Sequence, residues 1–166
     1  MYVYIKTLSK LAFLVLVIIL TGCKNTSENS AAELSQISTF AENYTAAWNS
    51  QNPESVASFF SSEGTLSVNN DPPLEGRNAI TNFAKGFMIA FPDMNLIMDS
   101  LIVKSDRTEY YWTFSGTNAG PNGTCNFVRF SGVEKWQFDN KGLIKHSKGS
   151  YDAEEYKHQV EYGIEE

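Results

Sequence analysis

Residues 124–151 of the 166-residue chain read TCNFVRFSGVEKWQFDNKGLIKHSKGSY. The cluster Asp139-Asn140-Lys141-Gly142 is typical of a turn, because these residue types tolerate tight and left-handed backbone conformations. It divides the stretch into a long strand, Thr124–Phe138, and a last strand, Leu143–Tyr151. The sequence therefore predicts an antiparallel hairpin over this stretch.

The long strand of this hairpin carries an acidic residue in phase with its large aromatic residues. Side chains alternate between the two faces of a strand, and Trp136 and Phe138 are expected to face the core. The same phase directs Glu134 inward, where a charge is costly unless it is paired. An inward carboxylate among aromatic residues predicts a lined cavity rather than a filled core.

The pairing of the two strands extends this prediction to the last strand. If Phe138 lies opposite Ile144, Trp136 pairs with His146 and Glu134 pairs with Lys148. Asp152 follows at the end of the same face. The alternative is a shift or bulge of one residue, which would place His146 and Lys148 in solvent.

The rest of the chain predicts helices that pack on one face of a sheet. Three helices precede the strand-rich half and a short one ends the chain: Ala32–Ser50, Asn52–Phe60, Arg77–Phe91 and Asp152–Tyr162. Three further strands are predicted, at Thr65–Val68, Met94–Lys104 and Glu109–Asn118. Helices that are segregated from a strand meander indicate an α+β fold.

Residues 1–22 have the pattern of a signal peptide. Their apolar run, Leu11–Leu20, is too short to cross a hydrocarbon core of about 30 Å. The sequence Leu20-Thr21-Gly22-Cys23 resembles a bacterial lipobox, which implies cleavage before Cys23 and a lipid on its sulfur. The alternative is an ordinary signal peptide with a chance cysteine. We expect a lipid-anchored protein of the bacterial cell envelope, with a tether over residues 23–32 and a domain over residues 33–166 outside the cytoplasm.

The composition excludes several classes of protein. A net charge of −6 argues against nucleic acid as a partner, since phosphate binding requires a basic face. With Cys23 lipidated, Cys125 has no partner for an internal disulfide. The sequence has no nucleotide-binding loop, metal-ligand spacing or nucleophile elbow, so we expect neither a cofactor nor a metal.

A series of short sequence signatures resembles the SnoaL-like branch of the nuclear transport factor 2-like superfamily. In chain order they are Tyr44–Asn52, Val56–Phe60, Glu75–Ile80, Phe91–Met94, Phe114–Asn118 and Ser131–Ile144. The resemblance covers Leu34–Gly163. It implies a cone-shaped, strongly curved antiparallel or mixed sheet packed with three N-terminal helices. The superfamily includes isomerases, cyclases, dehydratases and non-catalytic binders, so function must be argued from the site.

The resemblance to ketosteroid isomerase, a relative with this fold, implies an oxyanion hole. In that enzyme a helix tyrosine and a strand carboxylic acid donate hydrogen bonds to the developing enolate, and the matching residues here are Tyr44 and Glu134. The general base of that enzyme corresponds to Val68, which cannot accept a proton.

The resemblance to SnoaL-type cyclases implies an acid and a base in the cavity. Asn118 stands at the position of the histidine in the family motif. The remaining pair that could exchange protons is His146 and Asp152. An aspartate at this place is also a common N-cap of a helix.

Three hypotheses for function follow. The first is a pocket for a small, largely apolar ligand, lined by Tyr44, Trp112, Asn118, Trp136 and Lys148. The second is an acid–base enzyme on the same pocket, a cyclase or an isomerase, using Glu134, His146 and Asp152. The third is an accessory domain whose cone is filled with side chains and which forms a homodimer through its outer sheet face. The missing base and the asparagine in the family motif favour the first.

Overall fold

A computed structural model of the chain describes residues 31–164. The predicted signal peptide, the lipidation site Cys23 and most of the tether lie outside the described residues. The chain divides into two compact units, Met1–Thr39 and Phe40–Glu166. Residues 31–39 of the first unit are helical. Across residues 31–164, no helix combines the length and apolar character needed to span a membrane.

The second unit contains the sheet and the helices that cover it. It begins with helix α1 over residues 40–49. The elements that follow are α2 (Pro53–Ser58), β1 (Phe60–Val68), β2 (Leu74–Glu75), α3 (Gly76–Ala90), β3 (Asn95–Val103), β4 (Thr108–Thr117), β5 (Phe127–Phe138), β6 (Ile144–Tyr151) and α4 (Ala153–Tyr162). β2 is not among the strands predicted from the sequence, because a two-residue strand carries no periodicity.

The strands form one mixed sheet in the order β2-β1-β6-β5-β4-β3. β1 pairs with β6 in parallel, and the other neighbours are antiparallel. The α+β class predicted from the sequence is confirmed. The strong curvature is not: the sheet is open, with β2 and β3 at its edges.

The last hairpin departs from its predicted register after one pair. Phe138 lies opposite Ile144 as predicted, but Lys145 is an extra residue of β6 with no partner on β5. Such a bulge reverses the faces of all the residues that follow it. Ser147 and Gly149 therefore face the helices, in place of the predicted histidine and lysine.

Aromatic rings join α1 to the centre of the sheet. Tyr44 and Trp136 are fully buried, and their ring centroids are 5.1 Å apart in an edge-to-face arrangement. Tyr110 stacks on Trp136 at 4.6 Å and contacts Tyr44 edge-on at 5.8 Å. Rings of this size bury large apolar areas and prefer these geometries. The cluster fixes α1 over β4 and β5.

Gly132 leaves room for a tryptophan on the neighbouring strand. It lies opposite Trp112, and a Cβ at this position would come within 2.4 Å of Trp112 Cζ2. The same Cβ would be 2.7 Å from the carbonyl oxygen of Ser150. A side chain here would have to displace the indole or the backbone.

We therefore expect Gly132→Ala to lower the free energy of unfolding by about 1–3 kcal/mol, the usual cost of overpacking. The matched control is Gly86→Ala in α3, where an added Cβ has nothing within 4 Å. That change should be neutral or stabilising by up to about 1 kcal/mol, because alanine is the better helix former. Urea unfolding of both variants measures the difference, and equal effects would contradict the packing described here.

Candidate functional site

Glu134 is the buried acidic group around which the site is built. Glu134 is only 8% exposed to solvent. Its Oε2 accepts hydrogen bonds from Ser147 Oγ at 2.7 Å, Trp136 Nε1 at 2.9 Å and Tyr44 OH at 3.2 Å. Its Oε1 has only the longer contact with Tyr44, at 3.3 Å. Oε1 is therefore the oxygen with capacity left for a further partner.

Burial controls the protonation of this group. It raises the pKa of Glu134, against the hydrogen bonds from Trp136, Ser147 and Tyr44, which lower it. Burial, followed by the nearby Glu134, raises the pKa of Tyr44 well above its usual value. Tyr44 therefore stays a donor at neutral pH, and Glu134 keeps its proton to a higher pH than an exposed glutamate does.

A small cavity lies against Glu134. Its volume is about 60 Å³. Among the described residues that line it, Glu134 is the only one with a carboxyl or basic side chain. The other lining residues are apolar, aromatic or small: Trp48, Leu66, Val68, Phe83, Phe87, Met94, Leu96, Trp112, Phe114, Phe130, Gly149, Ser150 and Tyr151.

Two indole N–H groups in the cavity lining lack a well-formed hydrogen bond. Nε1 of Trp112 is buried and has no acceptor within the described part of the chain. Nε1 of Trp48 also lacks one, although its interaction with the Tyr44 oxygen lowers the pKa of that tyrosine. A buried donor without an acceptor costs free energy, which makes the Trp112 indole an unsatisfied polar group next to the cavity.

The predicted ligand-binding residues divide into two groups. Glu134, which strand alternation directs inward, and Trp112 are both in the cavity lining. Tyr44 and Trp136 do not line it; they lie behind Glu134 and hold its carboxyl group. These two residues position the acid rather than contact a ligand.

The prediction that His146 and Lys148 face the pocket is wrong. The bulge at Lys145 turns both to the outer face of the sheet, where both are exposed. His146 Nδ1 lies 3.0 Å from Thr65 Oγ1, and Lys148 lies opposite Lys135. They line an outer groove of about 430 Å³, on the opposite face from Glu134.

Asp152 and Asn118 also lie away from the cavity lining. Asp152 is exposed and caps α4 by accepting from the backbone N–H groups of Glu154 and Glu155. Asn118 Oδ1 accepts from the backbone N–H of Thr124 and so holds the loop before β5. The structure therefore does not bring Asp152 to His146 as an acid–base pair.

Several cavity residues were assigned to the core or missed in the sequence. Phe83 and Phe87 are one helical turn apart on α3, a spacing that predicts only a buried face. Gly149 and Ser147 reach the inner face through the bulge, which has no sequence signal of its own. Among the described residues, no group of three or more His, Cys, Asp or Glu side chains could hold a metal ion.

The comparisons with known proteins agree with the fold described above. The chain belongs to the SnoaL-like polyketide cyclase family, which matches residues 38–160. This family has the nuclear transport factor 2-like fold, carries a pocket, and includes cyclases and isomerases. No curated protein matches the sequence.

Three solved structures illustrate the likeness of the fold. A hypothetical protein with a ketosteroid isomerase-like fold from Catenulispora acidiphila DSM 44928, solved in complex with trimethylamine, has a TM-score of 0.65 and 13% identity, covering 74% of this chain and 92% of its own. AclR, a putative hydroxylase from Streptomyces galilaeus, has a TM-score of 0.65 and 18% identity, covering 80% and 85%. The epoxide hydrolase/cyclase-like enzyme SalBIII has a TM-score of 0.63 and 14% identity, covering 73% and 94%.

The raised pKa of Glu134 predicts how stability depends on pH. The folded protein binds this proton more tightly than the unfolded chain, so the contribution of Glu134 is fully present below the unfolded pKa of about 4.5. It is lost as the pH rises through the folded pKa. Because the lowered pKa values of Asp93 and Asp139 act in the opposite direction, the difference between the wild type and Glu134→Gln isolates the effect.

We expect the wild type to lose stability relative to Glu134→Gln as the pH rises from 4.5 to 8. Urea unfolding of both proteins across this range gives the measurement. A constant difference would mean that the carboxyl group titrates as an exposed one does.

Proposed function

We propose that this protein binds a small, largely apolar ligand in the cavity beside Glu134. The observation that carries the proposal is the lining itself, where one buried carboxyl group and one indole N–H without an acceptor meet an otherwise apolar wall. Pockets for small molecules typically combine apolar walls with a few converging polar groups. The ligand presents a donor to Glu134 Oε1, an acceptor to Trp112 Nε1, or both.

The cavity volume supports a compact ligand. At about 60 Å³ the space is well below the roughly 300–1,000 Å³ of pockets for drug-sized molecules. The Catenulispora relative, whose structure contains trimethylamine, agrees with a ligand of this size. The cavity also favours a binding or catalytic role over a cone filled with side chains.

An acid–base enzyme is the second candidate, and one observation favours it. Glu134 is a titratable group in the cavity wall with a raised pKa, and such groups are common in active sites. Any proton transfer here uses Glu134 with Tyr44 behind it, because His146 and Asp152 lie elsewhere. Glu134→Gln abolishes turnover in an enzyme of this kind, whereas a binding protein has no turnover to lose.

We also propose that the protein acts at a bacterial membrane, anchored by lipid on Cys23. The support is the sequence Leu20-Thr21-Gly22-Cys23 directly after an apolar run of signal-peptide length. Two or more acyl chains hold a protein stably at a membrane. We propose in addition that two copies of the protein form a homodimer through the outer face of the sheet.

Ligand binding is tested by filling the cavity from its wall. Gly149→Ala adds a Cβ 3.6 Å from Glu134 Cγ and 3.9 Å from Val68 Cγ2, which is ordinary contact. We expect this variant to fold normally and to retain its ligand at least about tenfold more weakly, because the added methyl group occupies ligand space. Native mass spectrometry of protein purified from its own organism detects the retained molecule, with Gly86→Ala as the control. A wild-type protein that carries nothing, or a Gly149→Ala protein that retains the molecule equally, would contradict the proposal.

Lipid attachment is tested by labelling cells with a radioactive fatty acid. The wild type and Cys125→Ser should both incorporate the label, since Cys125 is an exposed cysteine of the folded domain. Cys23→Ser should incorporate none and should leave the membrane fraction. Labelling of Cys23→Ser would show that the lipid, if present, is attached elsewhere.

A further inference from the structure

Glu134 has no cationic partner in the described structure. The ion pairs of residues 31–164 join Lys104 and Arg107 to Glu109 and Asp106, and none reaches Glu134. Its hydrogen-bond donors are all neutral groups, a phenol, an indole and a hydroxyl. A buried carboxylate without a cation is costly, because its attraction to neutral donors replaces only part of its hydration.

The position where a counter-ion would stand is occupied by a glycine. Without the bulge, Lys148 would lie opposite Glu134 and neutralise it. With the bulge, Gly149 lies opposite Glu134 and Lys148 faces solvent. A Cβ added at Gly149 would make ordinary contacts with the carbonyl oxygen of Ser67 at 3.5 Å and with Glu134 Cγ at 3.6 Å, so there is room for a small group beside the acid.

The walls around this space suit a cation. The cavity is lined by the rings of Trp48, Phe83, Phe87, Trp112, Phe130 and Tyr151. Aromatic faces attract ammonium groups, most strongly where water is excluded. Within residues 31–164, no Lys, Arg or His side chain belongs to the lining, so none of the described lining residues repels a positive charge.

From this combination we infer that the cavity binds a compact organic cation, an ammonium group bearing small alkyl substituents, with Glu134 as its counter-ion. The inference rests on the proposed function and names the chemistry of its ligand. The aromatic walls contact the alkyl groups, and the carboxylate supplies the charge that the chain itself leaves unpaired.

Binding of a cation is coupled to the proton on Glu134. The titratable groups that face Glu134 are Tyr44 from α1 and Tyr110 from β4, and burial raises the pKa of both. Both therefore stay neutral, and Glu134 alone changes charge. The cation displaces the carboxyl proton to solvent, so its affinity increases as the pH rises until Glu134 is ionised without it.

Two probes of equal shape and different charge test the inference. Choline and 3,3-dimethyl-1-butanol differ only in a quaternary nitrogen replaced by carbon, and tetramethylammonium supplies the head group alone. Titration calorimetry on the full chain should show choline binding at least tenfold more tightly than the alcohol. Choline binding should release protons below the folded pKa of Glu134, seen as a heat that depends on the buffer.

The outcomes separate this inference from the proposed function. If choline and the alcohol bind equally well, the inference of a cation site is wrong and the cavity is a pocket for apolar ligands. If neither choline nor tetramethylammonium binds, the cation inference is wrong, and retention of a natural molecule in native mass spectrometry decides the pocket independently.

Variants identify the residue responsible. Glu134→Gln preserves the shape of the side chain and should weaken choline at least tenfold, while the affinity of the alcohol should change by less than about threefold. Lys148→Ala on the outer face is the control and should change neither. Circular dichroism checks that each variant folds. If Glu134→Gln does not fold, the wild-type comparison and the proton release still decide the matter, and unchanged choline affinity in a folded Glu134→Gln protein overturns the assignment.

Discussion

Burying the carboxyl group of Glu134 constrains much of the second unit. Three elements supply hydrogen-bond donors to this carboxyl group: Tyr44 lies on α1, Trp136 on β5 and Ser147 on β6. Two of these donors are themselves held by packing, since the Tyr44 and Trp136 rings contact each other and Tyr110. The position of the carboxyl group and the packing of the aromatic core therefore depend on each other. Moving α1 against the sheet would leave the buried carboxyl group without the Tyr44 donor.

The bulge at Lys145 decides what this acid faces. One unpaired residue in β6 exchanges a histidine and a lysine for a serine and a glycine on the inner side. The serine satisfies the carboxyl group, and the glycine leaves space beside it. Two basic side chains move to the outer face, where water solvates them. A local irregularity of the backbone thereby sets both the charge and the volume of the cavity.

A feature of this protein can be predicted from the sequence to the extent that its signal is local. Alternation along β5 was sufficient to direct Glu134 inward, because the period of a strand is fixed by its own backbone. The inner face of β6 could not be predicted, because a bulge depends on hydrogen bonds between strands and nothing in the residues around Lys145 distinguishes it. Asp152 illustrates the reverse case: its local preference for a helix N-cap gave the correct role, and the family resemblance did not. The family and the α+β class followed from many weak signals in order, which is why they were more secure than any single site residue.

The distribution of tryptophan in this protein has an optical consequence. All three tryptophans belong to the site: Trp48 and Trp112 line the cavity, and Trp136 donates to Glu134 behind it. Indole emission responds to nearby charge, hydrogen bonding and water. The tryptophan fluorescence of the protein, excited at a wavelength where tyrosine absorbs little, is therefore a signal from this one site, and occupancy of the cavity can be followed without any added label.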